Sequence, residues 1–248
     1  METFARNELY WGKEAQEKIK NSNIAIFGLG GVGSFAAEVL ARSGIENFTI
    51  VDFDKVSQSN INRQLIALQN TIGTAKSELV KERILQINPN AKIQAINDFY
   101  TSDMNNIFDK KFDFVIDAID SFNYKIELIE FCHKNSIPIA TSMGAANRIC
   151  PEKLYIADIS EIDKINCPFA QRIIHRLKQD GITQNLTMIL SNEKPKNVQK
   201  ILTEENIETQ SGQKIEFKKI TPATTPFVAP VAGIMIGSIA IRKILEKK

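Results

Sequence analysis

The stretch IAIFGLGGVGSFAAEVLARSG, residues 24–44, joins an apolar run to a helical pattern through a glycine-rich turn. The run from Ile24 to Phe27 is typical of a buried strand, and the spacing of apolar residues from Ser34 to Ser43 predicts a helix. Gly44 follows at a position where helices commonly end. A strand, a glycine turn and a helix in this order indicate an α/β fold with a phosphate at the helix N-terminus.

The glycines of the turn form the pattern GxGxxG. Because they lack side chains, they let backbone N–H groups approach a phosphate closely. The second strand, in FTIVDFDKV, ends at an aspartate 19 residues after the last glycine of the pattern. At this spacing, dinucleotide-binding proteins place an acid on the ribose hydroxyls. The residues of this part that we predict to contact a nucleotide are Gly28, Gly30, Gly31, Gly33 and Asp52.

Beyond this unit, strand-like and helix-like segments alternate to about residue 142. This alternation predicts a doubly wound, mainly parallel, Rossmann-like α/β sheet with helices on both faces and a ligand at the carboxyl ends of the strands. Less regular strands after Gly144 are expected to extend the sheet. A length of 248 residues with 43% apolar residues favours one domain over residues 1–248. The polar stretch 192–225 is predicted to be a mobile surface excursion, either a lid or a plain solvated loop.

The bulk properties exclude several other classes of protein. The net charge of +2 neither requires nor excludes a nucleic-acid partner. The N-terminus lacks the apolar run of a secretory signal, which predicts a cytoplasmic protein. Cys132, Cys150 and Cys167 contain no CxxC pair, so we expect free thiols rather than disulfides or a zinc site. The apolar segment 226–245 is interrupted by Pro230, and we predict a buried helix and no membrane partner.

Residues downstream of the second strand separate the two nucleotides that the glycine turn admits, NAD and ATP. A triphosphate needs cationic and hydrogen-bonding partners, which Asn60, Arg63 and Lys76 supply, whereas hydride transfer needs none of them. Asp117 and Asp120 end the fourth strand, which places an acid where it could hold Mg²⁺ against the phosphates. Each residue has a plain alternative, because an arginine here could form a surface ion pair and a helical lysine could be exposed. Together they favour ATP with Mg²⁺ over an NAD-dependent oxidoreductase.

The motifs GLGGVGS, DFDKVSQSNINRQ, GTAK and DAIDS resemble the nucleotide site of the ubiquitin-activating superfamily, which includes adenylyltransferases of sulfur-carrier proteins. The resemblance implies that Asp52 binds ribose and that Asp120 assists Mg²⁺ at the α-phosphate. It also implies a homodimer in which Arg6 reaches the ATP site of the neighbouring subunit. The phosphate contacts that it implies are Asn60, Arg63 and Lys76. The nucleotide site extends to Asp54 and Gln64, and the expected catalytic residues are Arg6, Arg63, Lys76 and Asp120.

The segments GAANRICPEKLYIADISEIDKINCPFAQRIIHRLKQDGI and TTPFVAPVAGIMIGSIAIRKIL resemble the tRNA threonylcarbamoyladenosine dehydratases. This resemblance implies ATP-dependent cyclisation of a modified adenosine in the tRNA anticodon loop, and it admits a sulfur-transfer protein as an accessory partner. Whether ATP is cut at the α or the γ phosphate stays open. The alternative is an adenylyltransferase for a ubiquitin-like sulfur carrier, which the missing CxxC pairs disfavour. Cys167 departs from the aspartate that the dehydratases have at this position.

A predicted basic helix in PFAQRIIHRLKQDGI is the candidate RNA contact. Arg172 and Arg176 are four residues apart and therefore share one helix face. A solvated helix face is the ordinary alternative for such a cluster. The two histidines, His133 and His175, do not make a metal site, and we expect them to be ordinary surface or packing residues. The further basic candidates are Arg148, Lys178, Lys194, Lys196 and Lys200.

Overall fold

The computed structural model describes residues 3–198, 201–209, 212 and 214–246. The strands are β1 (Asn23–Phe27), β2 (Asn47–Val51), β3 (Lys92–Ile96), β4 (Phe114–Asp117), β5 (Ile139–Ser142), β6 (Leu154–Asp158), β7 (Thr187–Ser191), β8 (Ile201–Glu208) and β9 (Lys214–Thr221). The helices are α1 (Ala5–Trp11), α2 (Lys13–Asn21), α3 (Gly33–Ser43), α4 (Lys76–Ile87), α5 (Phe122–Lys134), α6 (Pro168–Gln179) and α7 (Val228–Glu246). A 3₁₀ helix at Ser102–Asp109 lies between β3 and β4.

Seven of the described strands form one sheet in the order β3-β2-β1-β4-β5-β7-β6. Every neighbouring pair is parallel except β6 and β7, which run antiparallel at one edge. The predicted doubly wound, mainly parallel sheet with an irregular extension is therefore confirmed. The strand order reverses at β1, which pairs with β2 on one side and β4 on the other. Ligands of such sheets bind at this point, beyond the carboxyl ends of the strands.

The residues of β1 explain why the strand lies in the middle of the sheet. Ile24 and Ile26 pack into the core on one face, while Ala25 and Phe27 pack into the core on the other face. All four are fully buried. A strand covered by helices on both faces reads as a continuous apolar run rather than an alternating one, as the sequence does here.

Helix α7 packs against α3 through small residues. A Cβ atom built on Gly233 would lie 2.3 Å from the carbonyl oxygen of Val32, and one on Gly237 would lie 2.4 Å from Cγ2 of Val39. The helix is long and apolar enough to cross a membrane, with a mean hydropathy of 1.7, yet 56% of that window is buried inside the protein. The prediction of a buried C-terminal helix is confirmed, because α7 packs closely against α3 and buries much of its apolar surface there.

The polar stretch 192–225 contains an antiparallel hairpin, which the sequence-based prediction of a loop missed. Strand β8 pairs with β9 so that Ile201 lies opposite Thr221 and Glu208 opposite Lys214. Three hydrogen bonds tie the ends of the excursion to Asn147. The N–H of Lys196 donates to the carbonyl oxygen of Asn147 at 2.8 Å, and the N–H of Ala223 donates to its Oδ1 at 3.0 Å. The N–H of Asn147 donates to the carbonyl oxygen of Ala223 at 2.7 Å. The prediction failed because it weighed the polar composition above the β-branched residues scattered through both strands. The mobility of this excursion stays a prediction, and residues 199, 200, 210, 211 and 213 within it, Lys200 among them, lie outside the described residues.

Candidate active site

The glycines of the turn after β1 serve two different purposes. Gly28 has a φ of +87°, and a Cβ atom there would lie 2.7 Å from the carbonyl oxygen of Ala118. A Cβ on Gly33 would overlap the carbonyl oxygen of Gly28 at 1.7 Å. Gly28 therefore allows the turn to pack against the segment after β4, and Gly33 allows the turn to fold back closely on Gly28. Gly30 is different, because a Cβ there would meet only Nε2 of Gln64, at 3.6 Å. The open space over Gly30 fits a ligand at the N-terminus of α3.

Asp52 follows β2 and turns its carboxylate towards this turn. One oxygen accepts the N–H of Leu29 at 2.5 Å, and the other accepts the N–H of Asp54 at 2.8 Å. Burial raises the pKa of Asp52 to about 6, although the ammonium of Lys76 acts to lower it. Each carboxylate oxygen has lone pairs beyond these bonds. The side chain is thus held in place and fits the ribose contact predicted for it.

Lys76 lies at the start of α4 and is only 4% exposed, which corrects the alternative of an exposed helical lysine. Its Nζ donates to Oδ2 of Asp54 at 2.6 Å, and its backbone N–H donates to the carbonyl oxygen of Asp54 at 2.9 Å. The carboxylate of Asp54 is 42% exposed. The structure therefore brings Asp52, Asp54 and Lys76 together, with the ammonium buried under the crevice.

The loop after Asp54 carries two amide side chains predicted to line the nucleotide. Asn60 is buried, and its Oδ1 accepts the N–H of Ser57 at 3.1 Å. Gln64 is also buried, at 6% exposure, and its Oε1 has no hydrogen-bond partner among the described residues. An unsatisfied buried amide oxygen is costly unless a ligand or water binds to it. Because this amide lies against Gly30, it fits a polar ligand at the glycine turn.

Arg63 is half-buried on the same loop. Its Nη1 donates to the carbonyl oxygen of Ser59 at 2.9 Å and to Oδ1 of Asn62 at 3.0 Å. Burial lowers the pKa of Arg63, and the nearby carboxylate of Asp120 opposes that shift. Asp120 is exposed and lies just beyond β4. The charges of Arg63 and Asp120 are therefore close enough to interact at the crevice between the nucleotide loop and β4.

Of the two aspartates at the end of the fourth strand, Asp117 is not available to hold a metal, which leaves Asp120 as the predicted contact. Asp117 is fully buried, and its Oδ2 accepts Nζ of Lys125 at 2.6 Å and the hydroxyl of Thr141 at 2.5 Å. Its other oxygen accepts the N–H of Ile119 at 3.0 Å. The ammonium of Lys125 also donates to the carbonyl oxygen of Ser142 at 3.2 Å. This network joins the ends of β4 and β5 beneath the crevice.

The sequence analysis missed Lys125, although the sequence contains a signal for it. The buried residues of α5 include Lys125, Leu128, Ile129 and Cys132, which is the i, i+3, i+4, i+7 spacing of a core-facing helix stripe. A lysine inside such a stripe is almost never buried unless it has a partner. The aspartate at the end of β4 was the partner to look for.

No group of three histidine, cysteine or acidic residues that could hold a metal ion occurs in residues 3–198, 201–209, 212 and 214–246. Asp120 is thus the one predicted metal contact that the crevice still offers. Mg²⁺ commonly binds through one or two carboxylates together with phosphate oxygens and water. An exposed carboxylate opposite Arg63 fits that arrangement only when a phosphate is present.

Arg6 lies far from the glycine turn of its own chain. It is exposed on α1, and the neighbouring Asn7 donates from Nδ2 to the carbonyl oxygen of Arg42 at 2.7 Å, near the C-terminus of α3. The glycine turn lies at the other end of α3, which at eleven residues is about 16 Å long. Leu9 and Tyr10 on α1 are 82% and 87% exposed. Arg6 therefore lies near two exposed apolar side chains, at the end of α3 opposite its own glycine turn.

Two of the predicted RNA contacts have other roles. Arg148 is 4% exposed, and its guanidinium donates to the backbone carbonyls of Gly144 and Ala146, at 2.6 and 2.9 Å. It braces the turn after β5 and is too buried to contact RNA. Arg176 on α6 forms an ion pair with Asp180 at 2.5 Å. The shared face predicted for the two arginines of α6 therefore has one arginine already neutralised.

Comparison with known proteins assigns the chain to a family. A model described as the ThiF family matches residues 4–247. Because the match covers nearly the whole chain, the chain belongs to the ThiF family. A molybdopterin-synthase adenylyltransferase from Haemophilus influenzae is similar over a shorter part, with 35% identity over 136 residues, 55% of each chain.

More extensive similarity is found to one group within that family. A tRNA threonylcarbamoyladenosine dehydratase from Bacillus subtilis is 42% identical over 247 residues, 98% of this chain and 94% of the relative. Structures of the Escherichia coli tRNA N6-threonylcarbamoyladenosine dehydratase in complex with ATP and with AMP have TM-scores of 0.83 and 0.85 at 31% identity. Each covers 98% of this chain and 94% of the other. The chain thus belongs to the tRNA threonylcarbamoyladenosine dehydratases within the ThiF family, and the resemblance seen in its motifs is confirmed.

Proposed function

We propose that this chain uses ATP to cyclise threonylcarbamoyl-adenosine in the anticodon loop of tRNA. The observation that carries the proposal is the crevice at the reversal of strand order, where Asp52, Arg63 and the open glycine turn converge. A carboxylate is a poor electrophile, and a nucleotide held here supplies the leaving group that makes it reactive. The similarity to dehydratases over nearly the whole chain supports tRNA as the second substrate.

In the first step, an oxygen of the threonyl carboxylate attacks the α-phosphorus of ATP. An oxygen–phosphorus bond forms, the bond to the β-phosphate oxygen breaks, and pyrophosphate leaves with the electron pair. Arg63 and Lys76 bear positive charge beside the site and stabilise the negative charge that builds up on the phosphates. Asp52 keeps the nucleotide in register by accepting hydrogen bonds from the ribose.

In the second step, the carbamoyl group of the same modified base attacks the activated carbonyl carbon. The new bond closes the ring, AMP leaves with the carboxylate oxygen, and the attacking group loses its proton, so the nucleoside loses one water overall. The attacking group is tethered to its electrophile, which gives it a large effective concentration. The step therefore needs no nucleophile from the enzyme, and none of the three cysteines is assigned a role in it.

We propose that Mg²⁺ binds with ATP through Asp120 and phosphate oxygens, since Asp117 is committed to Lys125. The ion would neutralise phosphate charge. In this chain, Asp120 would hold the ion near Arg63, just beyond the carboxyl end of β4. Arg63 would balance the carboxylate charge of Asp120 whether or not the ion is bound.

We also propose a homodimer in which α1 of one subunit lies at the crevice of its partner. The support is the position of Arg6, which lies at the end of α3 opposite its own glycine turn, and the exposed apolar pair Leu9 and Tyr10 near it. Burying these large apolar side chains at a subunit interface would remove them from water, which is favourable. An accessory sulfur-transfer protein and a cytoplasmic location belong to the same proposal and rest on the sequence alone.

Mass spectrometry of nucleosides tests the function directly. tRNA carrying threonylcarbamoyl-adenosine is incubated with the protein and Mg-ATP, and the nucleosides are released under mild conditions that preserve a labile ring. We expect the modified nucleoside to lose about 18 mass units, one water, only when ATP is present, and AMP and pyrophosphate to form in equal amounts.

An unchanged nucleoside would overturn the proposal. The same preparation would then be tested for ATP–pyrophosphate exchange stimulated by a small sulfur-carrier protein ending in Gly-Gly. Release of ADP and phosphate together with the ring-closed nucleoside would keep the cyclase but reject attack at the α-phosphate.

A further inference from the structure

Arg172 and Phe122 meet at the edge of the crevice. Phe122 is the first residue of α5, two positions after Asp120, at the carboxyl end of β4. Arg172 lies in the second turn of α6, and its guanidinium carbon is 4.6 Å from the centre of the Phe122 ring. The beginning of α6 is fixed at the same edge, because Sγ of Cys167 lies 3.4 Å from the place of a Cβ on Gly144, just after β5. The pair therefore borders the space in which the acyl-adenylate forms.

Arg172 differs from the other basic residues of its helix in having no polar partner within the described part of the chain. Arg176 is paired with Asp180, Lys178 donates to the carbonyl oxygen of Ile162 at 3.3 Å, and His175 contacts Gln179 at 3.0 Å. The guanidinium of Arg172 lies over an aromatic ring, and the residue is exposed to solvent. An arginine held over a ring keeps its N–H donors and its outer face available.

We propose that a nucleobase of the anticodon loop stacks on the outer face of the Arg172 guanidinium, with Phe122 as the positioning residue beneath it. This inference rests on the proposed function and deepens it by naming the side chains that recognise the RNA. Unpaired loop bases stack on aromatic side chains and on guanidinium planes. Stacking beside Asp120 would place the modified base with its carboxylate directed into the crevice.

The chemistry of this pair favours a base over the flexible C-terminus of a carrier protein. A guanidinium supported by a ring offers a flat, preorganised surface, and such a surface suits a planar π-system. A Gly-Gly tail has no planar side chain to place there, and a lysine would serve it equally well as a point charge. The proposal therefore depends on the shape of Arg172 as well as its charge.

The test compares the tRNA affinity of the variants Arg172→Lys and Arg172→Ala with that of the wild type. The variant Arg176→Ala is the matched control on the same helix. The dissociation constant for the modified tRNA is measured at several salt concentrations. We expect Arg172→Lys to bind between about fivefold and a hundredfold more weakly, with an unchanged salt dependence, because the charge remains and the stacking surface is lost. Arg176→Ala should bind as the wild type does. Wild-type affinity in Arg172→Lys would overturn the proposal, because it would show a charge contact only.

Phe122 is tested by activity, with KM measured separately for each substrate. Phe122→Leu should raise KM for the tRNA by a similar factor and leave KM for ATP unchanged, while Phe122→Tyr should restore the wild-type value. Equal changes in both KM values, or no recovery with tyrosine, would reduce Phe122 to a packing residue and overturn its assigned role. The two proposals fail separately. If the wild-type protein does not act on the modified tRNA, the proposed function is wrong. If the wild-type protein is active and the variants are unaffected, only the proposed stacking is wrong.

Discussion

The crevice and the segment after Gly144 use charged side chains in opposite ways. Around the crevice, Lys76 and Lys125 are buried and bonded to carboxylates that strands or turns hold in place. On α6, Arg172 is exposed and lies on a ring instead of a carboxylate. The first arrangement suits a small ligand that must always bind in one position. The second suits a large polynucleotide that approaches from solvent.

This difference separates two kinds of effect that a substitution can have. Removing one member of a buried ion pair leaves an uncompensated charge, so it lowers the free energy of unfolding as well as the activity. Removing an exposed group changes binding and leaves the fold nearly unaffected. The variants below test whether this division between the two regions holds.

Lys125→Met should have the largest effect. It leaves the carboxylate of Asp117 without its ammonium, and breaking a buried pair in this way costs about 3–5 kcal/mol. The free energy of unfolding in urea measures the loss. Lys134→Met changes the same residue type at the exposed end of the same helix and should stay within about 0.5 kcal/mol of the wild type. An unchanged urea midpoint for Lys125→Met would remove the structural basis of the comparison.

Arg63→Ala should reduce kcat/KM for tRNA cyclisation by about 100- to 1,000-fold, the range found when one preorganised charge-stabilising donor is removed. Its hydrogen bonds are to surface loop groups, so the fold should be little affected. The rate is measured by release of AMP, and the urea midpoint is measured on the same preparation. A loss of stability as large as that of Lys125→Met would place Arg63 among the structural pairs instead.

The sequence predicted the regular elements of this molecule better than the contacts between residues that are distant in the chain. The parallel strands, the glycine turn and the buried C-terminal helix follow from apolar periodicity, which is a local property. Asp117 and Arg148 were given the wrong partners because their contacts, with Lys125 and with the carbonyl of Gly144, depend on which elements become neighbours in the sheet. The hairpin was missed for a related reason, since its composition is polar and only pairing between its strands makes it a regular structure.

Protonation of Asp52 at low pH should weaken the preference of the protein for ATP over an analogue that lacks the ribose hydroxyls. Burial raises its pKa to about 6, so the carboxyl is ionised above that pH and protonated below it. An ionised acceptor forms the stronger hydrogen bond, by about 1 kcal/mol. The ratio of affinities for ATP and 2′,3′-dideoxy-ATP should therefore fall severalfold as the pH is lowered through about 6. Phosphate protonation cancels in this ratio, and a constant ratio would exclude Asp52 as the ribose contact.

Cys167→Ser should have the smallest effect on the free energy of unfolding, and it should raise that free energy, whereas Lys125→Met should lower it. Cys167 is the N-cap residue of α6 with extended backbone angles, and its thiol makes no capping hydrogen bond. A serine hydroxyl could accept a free N–H of the first turn, which should raise the free energy of unfolding by about 0.5–1 kcal/mol. Cys132→Ser is the control. Both thiols are buried in the same apolar cluster, but Cys132 lies inside α5 and not at a helix N-terminus with free N–H groups, so a hydroxyl there should lower stability. Cyclisation should continue at the wild-type rate in Cys167→Ser, because the tethered carbamoyl group needs no enzyme nucleophile. Loss of cyclisation in a stable Cys167→Ser protein would assign the thiol a chemical role and move α6 from substrate binding into the reaction itself.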